Sequence, residues 1–348
     1  MKMTSLFAAS SLCAATLPSP VMAHDHDANV RLDTVSHLFK AADVVAAPTL
    51  VDCTLSGGTK TRCFRITVRP LPRHRTPGPW CPTKATDGPA QSGIWIDPTA
   101  KKGSVFDADG PFMSNLATFY DDPEWQLVDP ETGNVRVTRT REACAAAARP
   151  DVDPQYRNHC VQCLPDYMAP DHSVTYTLPL APVMLKPGAL DTLFGRRPSE
   201  SVRGGVGVAL DGVKLDGPAP VDAILGAHTI APFDDCGGHV NLHDGYHYHA
   251  VTDCTGASQP TGDRTATVDA PVVGIAMDGH LILAGQRADG TVPKDLDACN
   301  GHGSGRDYHY HAGAPGSNAI LPCLAAERGC ASTDPDEACD ATRKRRRP

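Results

Sequence analysis

The stretch Asp234-Asp235-Cys236-Gly237-Gly238-His239, followed by Tyr246-His247-Tyr248-His249, returns as Asp297-Ala298-Cys299-Asn300-Gly301-His302 and Tyr308-His309-Tyr310-His311. Further back, Gly207-Val208-Ala209-Leu210-Asp211-Gly212 answers to Gly274-Ile275-Ala276-Met277-Asp278-Gly279. The two copies lie 67 residues apart at the Asp-Gly segments and 62 apart at the tetrapeptides, so the loops differ while the elements persist. A repeat of this kind reads as an internal duplication: two β-rich units, about 205–254 and about 272–323, packed face to face.

Each unit opens with an apolar run broken by Asp-Gly, Val206 to Leu215 and Val273 to Leu283, which predicts a β-hairpin whose turn residues tolerate positive φ. Each unit ends on Tyr-His-Tyr-His, which as a strand sends both histidines to one face and both tyrosines to the other. Outside the repeats, Cys63 to Val68 and Val174 to Leu178 alternate as strands, and Pro70 stops the first. Leu32, Val35, Leu38 and Phe39 recur at helical spacing, predicting an amphipathic helix within 29–47. Glu142 to Ala148, Ala-rich, predicts a short helix carrying Cys144. Thirty-one Gly and thirty-one Pro favour turns and short strands over long helices. The expected fold is mainly β (α+β with few short helices), disulfide-stabilised, with two repeat units packed together behind a Cys-rich N-terminal region.

These motifs resemble the YHYH domain family of exported proteins, over roughly Gly205 to Cys323. The chain departs from the doubled pattern at Gly237, where the second copy has Asn300, and at His243, an added histidine before the first tetrapeptide. The resemblance implies a fold and a compartment and brings no reaction with it.

The chemistry has to come from the residues. Two imidazoles on one strand face can share a first-row metal ion. His239, His247 and His249 are therefore one candidate ligand set, and His302, His309 and His311 the other. Asp234 and Asp297 are candidates to ligate or to orient an imidazole through its second nitrogen. Three neutral imidazoles with an open position suit zinc or copper. The competing reading is a hydrogen-bonded core ladder in which the histidines are structural and the Gly and Asp-Gly positions are only turns. Two copies with matched third histidines weigh toward the metal. His228, His243 and His280 lie near the frames without a counterpart, and His37, His74, His159 and His172 carry no spacing signal. A further candidate metal site is His24-Asp25-His26, where a freed amine with His at position three could wrap a square-planar copper or nickel ion.

That terminus follows from a secretory signal read over 1–23: Lys2, an apolar stretch from Leu6 to Leu17, then Val21-Met22-Ala23 as a cleavage site. No stretch is long enough to span a membrane. Without Cys13, twelve cysteines remain, an even number suited to an oxidising compartment, secreted or periplasmic. Expected pairs are Cys53–Cys63, Cys236–Cys254, Cys299–Cys323 and Cys330–Cys339. Cys81, Cys144, Cys160 and Cys163 stay open, with Cys160-x-x-Cys163 a weak redox motif. A formal charge of −8 argues against nucleic acid. A small-molecule or glycan partner is left unspecified. The expected organisation is a Cys-rich region 24–203, the duplicated region 204–324 and a tail 325–348.

No nucleophile elbow, phosphate loop or dinucleotide fingerprint is present. Three functions remain: a metalloprotein, with or without catalysis, centred on the histidine frames; a metal-free module for a glycan or surface partner, using exposed tyrosines of the repeats; and a zinc or copper carrier.

Overall fold

The computed structural model describes residues 35–343 except residues 102, 150, 189–192, 194–197 and 256–268. The predicted signal segment and the His24-Asp25-His26 site lie outside them. Strand outweighs helix, 27% against 14%, as the turn-rich composition implies.

Two sheets carry the fold. β1 (Asp43–Thr54), β2 (Lys60–Arg69), β5 (Val174–Pro179) and β14 (Cys330–Ser332) form an antiparallel sheet in the order β1-β2-β5-β14. The second holds β6 (Gly207–Ala209), β7 (Lys214–Leu215), β8 (Gly238–Asn241), β9 (Gly245–Tyr248), β10 (Val272–Ala276), β11 (Leu281–Leu283), β12 (Gly301–His302) and β13 (His309–His311). Its order is β12-β13-β11-β10-β6-β7-β9-β8. β3 (Ile94–Ile96) and β4 (Val105–Asp107) make a small ribbon.

Read outward from the β6–β10 pair, the eight-stranded sheet is the same twice. Each hairpin is antiparallel, its second strand pairs in parallel with the Tyr-His-Tyr-His strand, and that strand pairs antiparallel with the one bearing the third histidine. The units therefore join edge to edge through β6 and β10, not face to face as expected. Glycine makes the seam possible: a Cβ on Gly207 would sit 2.2 Å from the Ile275 carbonyl oxygen, and one on Gly274 2.5 Å from that of Val208. The turn chemistry follows the sequence too. Gly212 and Gly279 turn the hairpins at φ +87° and +86°. Gly237 and Asn300 share the left-handed region at +76° and +62°, which explains why these two residue types alternate there.

The two sheets share one core. Phe64, Ile66 and Val68 of β2 and Tyr176 and Leu178 of β5 cluster with Val206, Val208, Leu215, Tyr246, Tyr248 and Tyr310. The tyrosine face of the eight-stranded sheet is thus the buried inner face, and alternation puts the histidines opposite. A second cluster around Trp95, Met113 and Trp125 fills the N-terminal region. The predicted helix around 29–47 is corrected: helix covers Val35 to Leu38 among the described residues, and β1 begins at Asp43. The Ala-rich helix forms at Arg141–Ala147, capped by the Thr140 hydroxyl, with Cys144 buried. Within the expected tail, β14 adds to β5 and Cys330 is bonded to Cys339.

All twelve cysteines among the described residues are paired. Cys53–Cys63, Cys236–Cys254, Cys299–Cys323 and Cys330–Cys339 form as expected. The open four resolve into Cys81–Cys160 and Cys144–Cys163, so Cys160 and Cys163 do not form a redox pair. No helix of the described residues is long and apolar enough to cross a membrane.

Candidate metal centres

On the inner face, every tyrosine of the tetrapeptides donates to an aspartate of its own unit. Tyr246 bonds Asp234 at 2.8 Å and Tyr248 bonds Asp211 at 2.7 Å; Tyr308 bonds Asp297 at 2.9 Å and Tyr310 bonds Asp278 at 2.5 Å. Asp211, Asp234 and Asp278 are fully buried, and a buried carboxylate is tolerable only when its oxygens receive such donors. Burial raises the pKa of Tyr246, Tyr248 and Tyr310, keeping them protonated as donors. The four rings are at most 5% exposed, so they offer no surface for a glycan or protein partner.

Asp234 and Asp297 do a second job. Asp234 Oδ1 accepts from the Cys236 and Gly238 amides, and Asp297 Oδ1 from those of Cys299 and Gly301. They thereby fix the turns that launch β8 and β12, and with them His239 and His302. The role expected of them, orienting an imidazole through its second nitrogen, falls instead mainly to main-chain carbonyls.

On the outer face the histidines converge. His239 and His247 bring their Nε2 atoms within 3.0 Å, and candidate ligand atoms of His239, His247 and His249 all lie within 4.8 Å of one another. In the second unit His302 Nε2 lies 2.8 Å from His309 Nε2 and 3.2 Å from His311 Nε2. Asp269 joins this second group, its Oδ1 3.1 Å from His311 Nε2 and 3.7 Å from His309 Nε2.

The tautomers follow from the other ring nitrogens. His309 Nδ1 faces the Asp307 carbonyl at 2.8 Å, His311 Nδ1 the Ala284 carbonyl at 2.9 Å, and His302 Nδ1 the Asp295 carboxylate at 3.0 Å. Carbonyls and carboxylates only accept, so each Nδ1 carries the proton and each Nε2 presents a lone pair. Three lone pairs and a carboxylate oxygen thus meet with no donor among them, and among the described residues the buried Asp269 Oδ1 has no hydrogen-bond partner. One shared proton would relieve one of these contacts; a cation at the centre relieves all four. In the first unit, His247 and His249 are fixed in the same way by the carbonyls of Gly245 at 2.9 Å and Gly217 at 2.6 Å.

Burial favours the neutral form of five of these rings. Burial, then the neighbouring imidazoles, holds His239 well below the usual histidine pKa, and burial with the facing His247 pushes His249 down to about 4. Burial likewise lowers His247, His309 and His311. Burial works against ionisation of Asp269, but the Arg287 hydrogen bond at 2.5 Å and the facing imidazoles hold its carboxyl below the usual range.

Several contributors had no local signal in the sequence. Arg75 donates to Asp234 at 3.0 Å and to the hydroxyls of both Tyr246 and Tyr248 from 159 or more residues away. In the second unit the buried His280 packs against Tyr308 and Tyr310 in the corresponding place. Asp269 precedes its unit, and the residue 67 positions earlier is Val202, so comparing the copies could not reveal it. Of the histidines without a counterpart, His243 is exposed and His228 bonds Asp122 at 2.8 Å, and neither joins the grouped ligand atoms.

Fold and site together define a disulfide-stapled, mainly β protein whose doubled Tyr-His-Tyr-His strands hold tyrosine–aspartate pairs on one face and imidazole triads on the other. Residues 175–295 match the family model described as YHYH protein, in line with the resemblance carried by the motifs. The matched span includes the first triad and Asp269 and ends before His302. No curated protein and no solved structure matches the chain.

Proposed function

We propose that this chain is an exported protein that binds one transition-metal ion, zinc or copper, at each imidazole triad: His239, His247 and His249 in one, His302, His309 and His311 with Asp269 in the other. The observation that carries this reading is the convergence of three Nε2 lone pairs on Asp269 Oδ1, which has no hydrogen-bond partner among the described residues. Spacings of 2.8 to 3.2 Å are near the roughly 3.3 Å expected for ligands tetrahedrally placed at about 2 Å from a zinc ion. The two units arose, on this reading, by internal duplication of one metal-binding element within 204–324. Export is supported by the disulfides and by the signal-like pattern of residues 1–23.

The test is elemental analysis of protein purified without an affinity tag. Wild type should retain zinc or copper through dialysis. A His247→Ala, His249→Ala, His309→Ala, His311→Ala variant should lose it while keeping its disulfides. Equal, negligible metal in both would sink the reading.

A further inference from the structure

The two triads are not copies in their surroundings. In the second, Asp269 Oδ2 is tied to Arg287 Nε at 2.5 Å, which leaves Oδ1 turned toward His309 and His311. With three imidazoles this makes a set of four protein ligands. In the first, no carboxylate among the described residues joins the three nitrogens. The acids whose charge acts on His247, Asp216 and Asp244, are engaged by the buried Lys214 ammonium at 3.1 and 2.8 Å.

An amide stands there instead. Asn241 Oδ1 accepts from the His243 and Asp244 amides at 2.9 and 2.7 Å, and these two bonds fix which way the side chain points. Asn241 Nδ2 then lies 3.5 Å from His247 Nε2 and 3.4 Å from Asp244 Oδ2, both too long for good hydrogen bonds. An amide NH2 cannot ligate a metal, but it can donate to something bound on one. The equivalent position in the second unit is Ser304, counted from His302 as Asn241 is from His239. The Phe233 ring closes another side, 5.0 Å from the His239 ring and 5.3 Å from that of His249.

We infer that the centres are unequal: the one with Asp269 is closed by four protein ligands, whereas the His239, His247, His249 centre keeps one position open for a small anion or water, to which Asn241 Nδ2 donates. This rests on the metal-binding reading above. Four protein ligands are the mark of a structural zinc site, and three with an open position that of a reactive one. The first centre is therefore where an exogenous ligand is taken, and the second holds the fold.

Cobalt(II) loading with azide as the probe tests this. Two forms isolate the centres: His309→Gln with His311→Gln leaves the first, and His247→Gln with His249→Gln leaves the second. Azide should change the cobalt visible spectrum of the first form and leave that of the second unchanged. Asn241→Asp keeps the acceptor oxygen that fixes the turn but replaces the donor with a carboxylate. In the first form it should weaken azide binding about tenfold or more with cobalt content retained. Asp269→Asn in the second form should make that centre azide-responsive. A response at the second centre with Asp269 intact, none at the first, or indifference to Asn241→Asp would overturn the inference while leaving metal binding standing. Absence of cobalt from every form, including wild type with native circular dichroism, would instead overturn the metal-binding reading itself.

Discussion

A tyrosine and a histidine on alternate faces of one strand have different requirements: buried aspartates accept from the tyrosines, and main-chain carbonyls hold the imidazoles. Tyr310 donates to the fully buried Asp278 and its oxygen accepts the Ala325 amide at 2.7 Å. Tyr310→Phe should therefore cost about 1–3 kcal/mol, the usual penalty for a buried group left unpaired, read as a lower denaturation midpoint with the disulfides intact. An unchanged midpoint would mean the pair is not structural. The histidines set a pH dependence. His249 falls from an unfolded value of 6.5 to about 4, so between these values the unfolded chain binds more protons than the folded one. Metal-free protein should lose stability as pH drops through that window and level off below it. The other depressed histidines act in the same direction, and urea midpoints at pH 7 and pH 5 would show it. At this scale the six histidines could be named from spacing alone, because two copies repeat them. Asp269, Arg75 and Asn241 could not. Asp269 and Asn241 have no counterpart in the other copy, and Arg75 reaches its aspartate from 159 residues away.

At the scale of elements, hairpin and tetrapeptide strands were legible because their side-chain period is two and Asp-Gly marks the turns. The edge-to-edge joining of the units was not, since apolar strands suit a sheet continued sideways as well as one stacked on another. The predicted helix failed near its C-terminal end: after Leu38, the segment from Asp43 carries β-branched and apolar residues that pair with β2. β12 shows how tightly the elements are coupled to the site. A Cβ on Gly301 would lie 2.0 Å from the Tyr308 hydroxyl, the donor to Asp297. Gly301→Ala should therefore displace Tyr308, loosen the turn that places His302, and cost about 1–3 kcal/mol as overpacking does. It should lower metal retention at the second centre and spare the first. Loss from both alike would show that the change acts through the whole sheet.

For the whole molecule, the regions 24–203 and 204–324 were expected to part at residue 204, and the largest buried cluster among the described residues takes side chains from both. Trp80 Nε1 bonds the Gly238 carbonyl at 2.9 Å, and the Ala325 and Ala326 amides bond Tyr310 and Asp278 in the second unit. Calorimetry of the oxidised protein should accordingly show one transition with matching calorimetric and van't Hoff enthalpies. Two separated transitions would mean that the regions fold independently. If three imidazoles share one ion in each unit, the ion's own surroundings must show it. X-ray absorption of zinc-loaded, untagged protein tests it most directly. The expected spectrum has a first shell of nitrogen and oxygen at about 2.0 Å with the outer-shell scattering of imidazole rings. A sulfur shell near 2.3 Å, a water-like oxygen shell without ring scattering, or failure to load zinc at all would contradict it.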